Sequence, residues 1–163
     1  MNAPITAQRS RLIYFLISIS VALADQFTKW LVAIRLPLYH SYIVIPRFFM
    51  ISHVQNPGAA FSLFANAKHA SEFLSVFTAI SILVLMVLLW RENGFTRVGL
   101  SMALIIGGAA GNLTDRIRMG SVLDFLAFDV GTYHWPDFNL ADSSIVLGVI
   151  LIAWTLLFSH KQN

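Results

Sequence analysis

The chain has 163 residues, of which 57% are hydrophobic and 12% charged, with a formal charge of +3 and no cysteine. A water-soluble domain carries about 25% charged residues, so much of this surface must face lipid, and the length suits one domain rather than two. The absence of cysteine excludes disulfides, thiolate metal sites and a cysteine nucleophile; basic residues at the ends of apolar runs read as interface anchors, not as a nucleic-acid surface.

A spanning helix needs about 20 mostly apolar residues, and four stretches qualify or nearly do: about 12–34, 73–90, 98–117 and 138–158. The first is interrupted by Asp25, Gln26 and Lys29. Its start, Arg9 and Arg11 before an apolar run ending in Ala22-Leu23-Ala24, also fits a cleavable signal peptide. The apolar pattern resumes over residues 30–34, which favours a retained span. Between the first and second stretches, residues 42–45 and 48–54 are rich in β-branched and aromatic side chains. Pro46 separates them and Asn56-Pro57-Gly58 follows, so a small β element on the outer membrane surface is expected. Residues 59–64 are apolar but too short to span and suit a short interfacial piece. The second stretch carries no charge, the third is glycine-rich at 107–111, and the fourth holds Asp142 near its start. Basic residues divide evenly between the two sides of a four-span topology. Those near the chain ends and in the 91–97 loop lie in short segments, which places both termini in the cytoplasm.

A charged side chain at the bilayer centre costs about 2.5–3.5 kcal/mol on insertion scales, so Asp25, Lys29, Asp115, Arg116, Asp124 and Asp142 need a reason to be present. Asp25 and Lys29 share a helix face; they form either an ion pair or part of a pocket. Asn112 and Asp115 repeat the spacing of Asn139 and Asp142, and each Asn can hydrogen-bond near its own Asp. Two carboxylates in a dry site share a proton, one serving as base towards water and the other as acid towards a carbonyl. The twin pattern alone would pair Asp115 with Asp142. Arg116 beside Asp115, and the apolar Leu123 and Phe125 flanking Asp124, favour Asp124 as the partner of Asp142. Gly107 and Gly111 are spaced for close helix approach. No H-E-x-x-H or G-x-S-x-G motif occurs, and His40, His53, His69, His134 and His160 read as scattered surface or interfacial residues. A small proton-coupled transporter subunit is the alternative reading of these intramembrane charges.

The motifs together resemble the lipoprotein signal peptidases. They are Asp25-Gln26-x-Thr28-Lys29, Asn56-x-Gly58-Ala59-Ala60-Phe61, Gly107-Gly108-Ala109-x-Gly111-Asn112-Leu113-x-Asp115-Arg116, Val122-x-Asp124-Phe125 and Phe138-Asn139-Leu140-Ala141-Asp142-Ser143, in the family's order and spacing over essentially the whole chain. The resemblance implies an all-α polytopic membrane protein, one integral-membrane peptidase domain over 1–163. Its four transmembrane helices would carry a small periplasmic β-cradle and a short interfacial helix. It implies catalytic aspartates at Asp124 and Asp142, with Asp25, Lys29, Asn56, Gly58, Asn112, Asp115, Arg116, Asn139 and Ala141 binding substrate or supporting the site. The implied substrate is a diacylglyceryl-modified prolipoprotein, cut on the N-terminal side of its lipidated cysteine. The implied inhibitors are cyclic peptides of the globomycin type. A monomer in the bacterial inner membrane is expected, with its site near the periplasmic face and no metal, organic cofactor or nucleic acid.

Overall fold

Backbone polar groups in hydrocarbon must be satisfied within the protein, which restricts spanning segments to helices or closed barrels. In the computed structural model, which describes residues 6–58 and 69–158, four helices meet that demand: α1 (Ala7–Arg35), α2 (Ala70–Trp90), α3 (Arg97–Met119) and α4 (Leu140–Phe158). Each contains a stretch long and apolar enough to cross a membrane. α3 is the centre of the bundle, packing against α1, α2 and α4. Its spanning stretch is 56% buried against 6% for α2, so α3 supplies the protein interior and α2 mostly faces outward. Apolar side chains such as Phe77, Leu83, Leu147 and Leu156 stay exposed, as lipid-facing positions should.

Local sequence sets the limits of α3. Thr96 caps its start, with Oγ1 accepting from the Gly99 amide at 2.9 Å. Gly120, at φ 71°, ends it in the left-handed conformation that glycine adopts without strain. Gly107 and Gly111 bring α3 close to α1: a Cβ on Gly107 would lie 2.6 Å from the Ser18 carbonyl oxygen, and one on Gly111 would lie 2.5 Å from Asp25 Oδ2. The expected role of this glycine pair in helix approach is met.

Four antiparallel strands form one sheet in the order β1 (Ser41–Ile45), β2 (Phe49–Asn56), β3 (Val122–Val130) and β4 (Tyr133–Phe138). The β1–β2 hairpin turns through Arg47 at φ 61°. The β3–β4 hairpin turns on Gly131-Thr132, with Gly131 at φ 65°. Pro136, which cannot donate to a ladder, lies in the edge strand β4. Leu123 and Phe125 of β3 pack with Val32 and Leu36, seating the sheet on the C-terminal end of α1. At the other end of the bundle, the Tyr14 hydroxyl donates to the Gly94 carbonyl at 3.1 Å and accepts from the Thr96 amide at 2.6 Å. The start of α1 and the α2–α3 loop are thereby held together, far from the sheet.

The description as all-α needs correcting, because half of this sheet comes from a hairpin between α3 and α4. The sequence reading placed β structure only between the first two helices. Residues of β3 are buried on both faces along most of their length, so the strand shows no polar–apolar alternation to reveal it. As a result Phe138 closes β4 and α4 begins at Leu140. The interfacial piece expected at 59–64 lies outside the described residues.

Candidate active site

The chemistry-bearing residues meet where the sheet joins the bundle, in two connected layers. The lower layer is ionic. Lys29 Nζ lies 2.8 Å from Asp25 Oδ2 and 2.7 Å from Asp115 Oδ2, and all three side chains are buried. The pair on one face of α1 is therefore real, and it is shared with α3. Gln26 Nε2 donates to Asp115 Oδ1 at 2.8 Å and to the Gly111 carbonyl at 3.2 Å. Asp115 Oδ2 also accepts from the Leu123 amide at 3.3 Å, fixing the start of β3. Asp25 Oδ1 accepts from the Ala141 amide at 2.9 Å in the first turn of α4, a favourable place for a carboxylate at a helix N-terminus. Three helices and one strand are thus tied to a single lysine and its two carboxylates.

The upper layer is built on Asn139, which is fully buried between β4 and α4. Its Nδ2 donates to Asp124 Oδ1 at 2.7 Å, while its backbone amide donates to Asp142 Oδ2 at 3.2 Å. Its Oδ1 accepts from the Asp142 amide at 2.9 Å, so the two residues cap the start of α4 reciprocally. Asp124 Oδ2 accepts from Asn56 Nδ2 at 3.0 Å, and Asn56 Oδ1 accepts from the Gly58 amide at 3.0 Å. Asp142 Oδ1 accepts from Asn112 Nδ2 at 2.8 Å. Lys29 Nζ reaches up to Asn112 Oδ1 at 3.0 Å and joins the layers. Asp124 is buried whereas Asp142 is half-buried, so one carboxyl is dry and the other reachable by water. Burial, with the neighbouring Asp142 carboxylate adding to it, pushes Asp124 up to about 7, against the opposing hydrogen bonds from Asn56 and Asn139.

The residues expected to act in or support the site, Asp25, Lys29, Asn56, Gly58, Asn112, Asp115, Arg116, Asp124, Asn139, Ala141 and Asp142, lie in or beside this cluster, with some partnerships different from those expected. Asp115 pairs with Lys29 and Gln26, not with Arg116, whose Nη2 donates to the Gly58 carbonyl at 3.2 Å. The guanidinium projects from the last turn of α3 towards the loop after β2 and not back along its own helix. Asn112 does not serve its own Asp115 but crosses to Asp142, because positions on α3 facing α4 are closer to that carboxylate. Ala141 contributes its backbone amide. Gln26 was visible only as a motif letter; its bond to a buried carboxylate on another helix leaves no trace in the sequence of α1.

A second polar group on the sheet was not anticipated. His134 lies between Asp129 Oδ1 at 2.8 Å and Asp137 Oδ1 at 3.0 Å, and Ser52 Oγ donates to Asp137 Oδ2 at 2.7 Å. Hydrogen bonding to Asp129, and then to Asp137, raises the imidazole above its ordinary value. His53 is buried, its Nδ1 2.8 Å from the Leu36 carbonyl. His134 is the exposed residue that its place in the sequence suggested, though paired with two carboxylates, whereas His53 is not a surface residue.

A family model described as "Signal peptidase (SPase) II" matches residues 17–158, which include every residue of the two layers. The chain belongs to the signal peptidase II family. It is similar to the lipoprotein signal peptidase of Desulforapulum autotrophicum, 41% identical over 151 residues that cover 91% of this chain and 93% of that one. The Syntrophus aciditrophicus protein of the same name is 41% identical over 156 residues, covering 93% and 97%. That of Francisella tularensis subsp. novicida is 39% identical over 158 residues, covering 95% and 98%. A solved structure described as "Bacterial membrane enzyme structure by the in meso method at 2.3 A resolution" superposes with a TM-score of 0.83 at 32% identity, over 93% of this chain and 91% of that one. Membership makes this chain a protease, and its four apolar helices make it a multi-pass membrane protein.

Proposed function

We propose that this signal peptidase II family member removes the signal peptide from diacylglyceryl-modified prolipoproteins by aspartic catalysis, with Asp124 and Asp142 as the dyad. The reading covers the whole chain as one peptidase domain. The observation that carries it is the position of Asn139, which donates at once to Asp124 and to Asp142 and so holds both carboxyl groups beside one residue. The pair carries one proton in its active form, which the buried Asp124 holds below about pH 7. Asp142 takes a proton from water as the water oxygen attacks the carbonyl carbon on the N-terminal side of the lipidated cysteine. Asp124 gives its proton to the carbonyl oxygen, leaving a neutral tetrahedral diol. Collapse of the diol breaks the C–N bond: Asp142 delivers its proton to the departing amine, and a diol hydroxyl returns one to Asp124. The products are a signal peptide with a free carboxyl group and a lipoprotein with a free amino-terminal cysteine. General acid–base transfer of this kind contributes about 10²–10⁴-fold to rate.

The substrate's lipid anchor keeps its scissile bond near the interface, where the sheet and the dyad sit at one end of the bundle. Assigning that end to the periplasmic face of the inner membrane, and the termini and the 91–97 loop to the cytoplasm, agrees with charge placement near the helix ends. Asn56, Gly58 and Arg116 form the rim through which substrate, or a cyclic peptide of the globomycin type, reaches the dyad. One copy of the chain supplies the complete set of groups, consistent with a monomer.

Single-turnover cleavage of a diacylglyceryl-modified prolipoprotein by purified Asp124→Asn, Asp142→Asn and Asp115→Asn tests the assignment, with a thermal melt of each. Asp124→Asn and Asp142→Asn should each lose at least about 10²-fold in rate while melting near the parent. Asp115→Asn should melt early, because it strips Lys29 of a partner. A well-folded, inert Asp115→Asn beside an active Asp124→Asn would reassign the dyad.

A further inference from the structure

α1 and α2 do not close against each other. Among the described residues α2 rests chiefly on α3, and a groove of about 1160 Å³ runs between α1 and α2. Its walls are apolar: Leu12, Phe15 and Ile19 of α1 face Met86 and Leu89 of α2, with Ile106 of α3 at the floor. It opens at the end of the bundle opposite the sheet, where Arg9 and Arg11 line its mouth. Arg11 lies over the Trp90 ring, 4.5 Å from the centroid, so the guanidinium is fixed at the opening by α2. Its Nε is buried and has no hydrogen-bond acceptor among the described residues. With Arg9 exposed and the rest of Arg11 half-buried, two guanidinium groups put positive charge at the end of an apolar trench, where an anionic oxygen would meet them and no acceptor among the described residues satisfies the Arg11 Nε.

We propose that this groove holds one anionic phospholipid, an acyl chain lying along the trench and the phosphate at Arg9 and Arg11. Three features of the groove select that occupant. An apolar trench of this size takes a hydrocarbon chain that a flat helix surface would leave mobile. Two cations at the mouth favour a headgroup with net negative charge over a zwitterionic one. The same cations disfavour the other long apolar ligand present in this membrane, a signal peptide, whose segment before the apolar region is positively charged. The site is separate from the dyad and would stand if the catalytic assignment failed, since its readout is bound lipid and not cleavage.

Native mass spectrometry of the full-length protein, stripped of lipid in detergent and titrated with chain-matched phosphatidylglycerol or phosphatidylcholine, tests the proposal. One phosphatidylglycerol should be retained at least fivefold better than phosphatidylcholine. Arg9→Gln/Arg11→Gln should abolish the preference, and Arg9→Lys/Arg11→Lys should keep it. Ile19→Trp, at a groove position that is 38% exposed, should fill the trench and release the bound lipid with both arginines in place. Because none of these residues belongs to the two polar layers, cleavage by each variant should stay within twofold of the parent in a fixed detergent. Equal retention of the two lipids, or a preference that survives Arg9→Gln/Arg11→Gln, would overturn the proposal. So would displacement of phosphatidylglycerol by soluble glycerol phosphate, which would show a headgroup contact with no chain in the groove. Displacement by a synthetic signal peptide would assign the groove to substrate instead.

Discussion

Replacing Lys29 with methionine isolates the value of the ionic layer. Methionine keeps most of the side-chain volume and removes the one cation that, among the described residues, forms a salt bridge with Asp25 and Asp115, 2.8 and 2.7 Å away. Both carboxylates are buried, at 0% and 2% exposure, so water cannot take over. Removing one partner of a buried ion pair costs about 3–5 kcal/mol, because the remaining charge is left uncompensated. Here two like charges remain, which places Lys29→Met at the upper part of that range. For a chain of this length 1 kcal/mol corresponds to about 2–4 °C, so about 4–5 kcal/mol gives a fall in melting temperature of about 8–20 °C. Asp25→Ala should cost less, since Lys29 keeps Asp115, although it also strips the Ala141 amide of its acceptor. Adding Asp25→Asn and Asp115→Asn to Lys29→Met should recover much of the loss by removing the uncompensated charges. The assay is a thermal melt in one detergent, with cleavage measured well below each midpoint. A Lys29→Met protein that melts within 2 °C of the parent would refute the claim that this lysine holds the bundle together.

The remaining predictions concern pH, packing and topology. Cleavage that needs a protonated Asp124 should fall tenfold per pH unit above about 7 in a kcat/KM profile, and a profile flat to pH 9 would contradict it. The same shift has a sign in stability: the folded state holds a proton that the unfolded chain releases near pH 4, so this contribution is whole at lower pH and is lost as pH rises to about 7. In Gly111→Ala the new Cβ would lie 2.5 Å from Asp25 Oδ2, a side chain locked by Lys29 and Ala141; the melt should show a loss of about 1–3 kcal/mol, and an unchanged midpoint would mean α1 yields freely. A cysteine introduced at position 94, in the loop that Tyr14 ties to the start of α1, should be labelled from the cytoplasmic side; labelling only from the periplasm would invert the topology.

The four helices were legible because lipid demands long apolar runs, and the motif residues were legible because so few polar groups occur in them. The second hairpin was not. Its inner strand is apolar on both faces for the same reason a buried helix is, and residues 122–130 offer no period to separate the two. Asp124, between the third and fourth expected spans, therefore had no assigned element, whereas it lies in an inner strand of the sheet. Its partner Asn56 belongs to the other hairpin, in register with Val122, so the contact between them needs the sheet to exist. The Asp115–Arg116 pairing failed for a related reason. Adjacent helical residues point in different directions, whereas Lys29, 86 positions earlier in the sequence, lies directly opposite once α1 closes on the glycines of α3.

The two layers also determine which way each buried amide points, and this governs what the carboxylates can do. An asparagine side chain can be turned end for end, offering a neighbour either a donor or an acceptor. Asn112 has no such freedom: its Oδ1 accepts from Lys29, which can only donate, so its Nδ2 must face Asp142. Asn139 is fixed in the same manner, since its Oδ1 accepts from the Asp142 amide and its Nδ2 is left for Asp124. The contacts that Asn56, Asn112 and Asn139 make to the two carboxyl groups therefore all come from donors, and these contacts supply no acceptor through which a carboxyl proton would be drawn away. A proton on Asp124 is thus directed to the other carboxylate or to whatever enters the space between them. Lys29 makes no hydrogen bond to either aspartate of the proposed dyad, yet by setting Asn112 it fixes the donor that Asp142 receives. The ionic layer that holds α1, α3 and α4 together is in this way also the layer that would keep the proposed acid–base pair polarised in one sense.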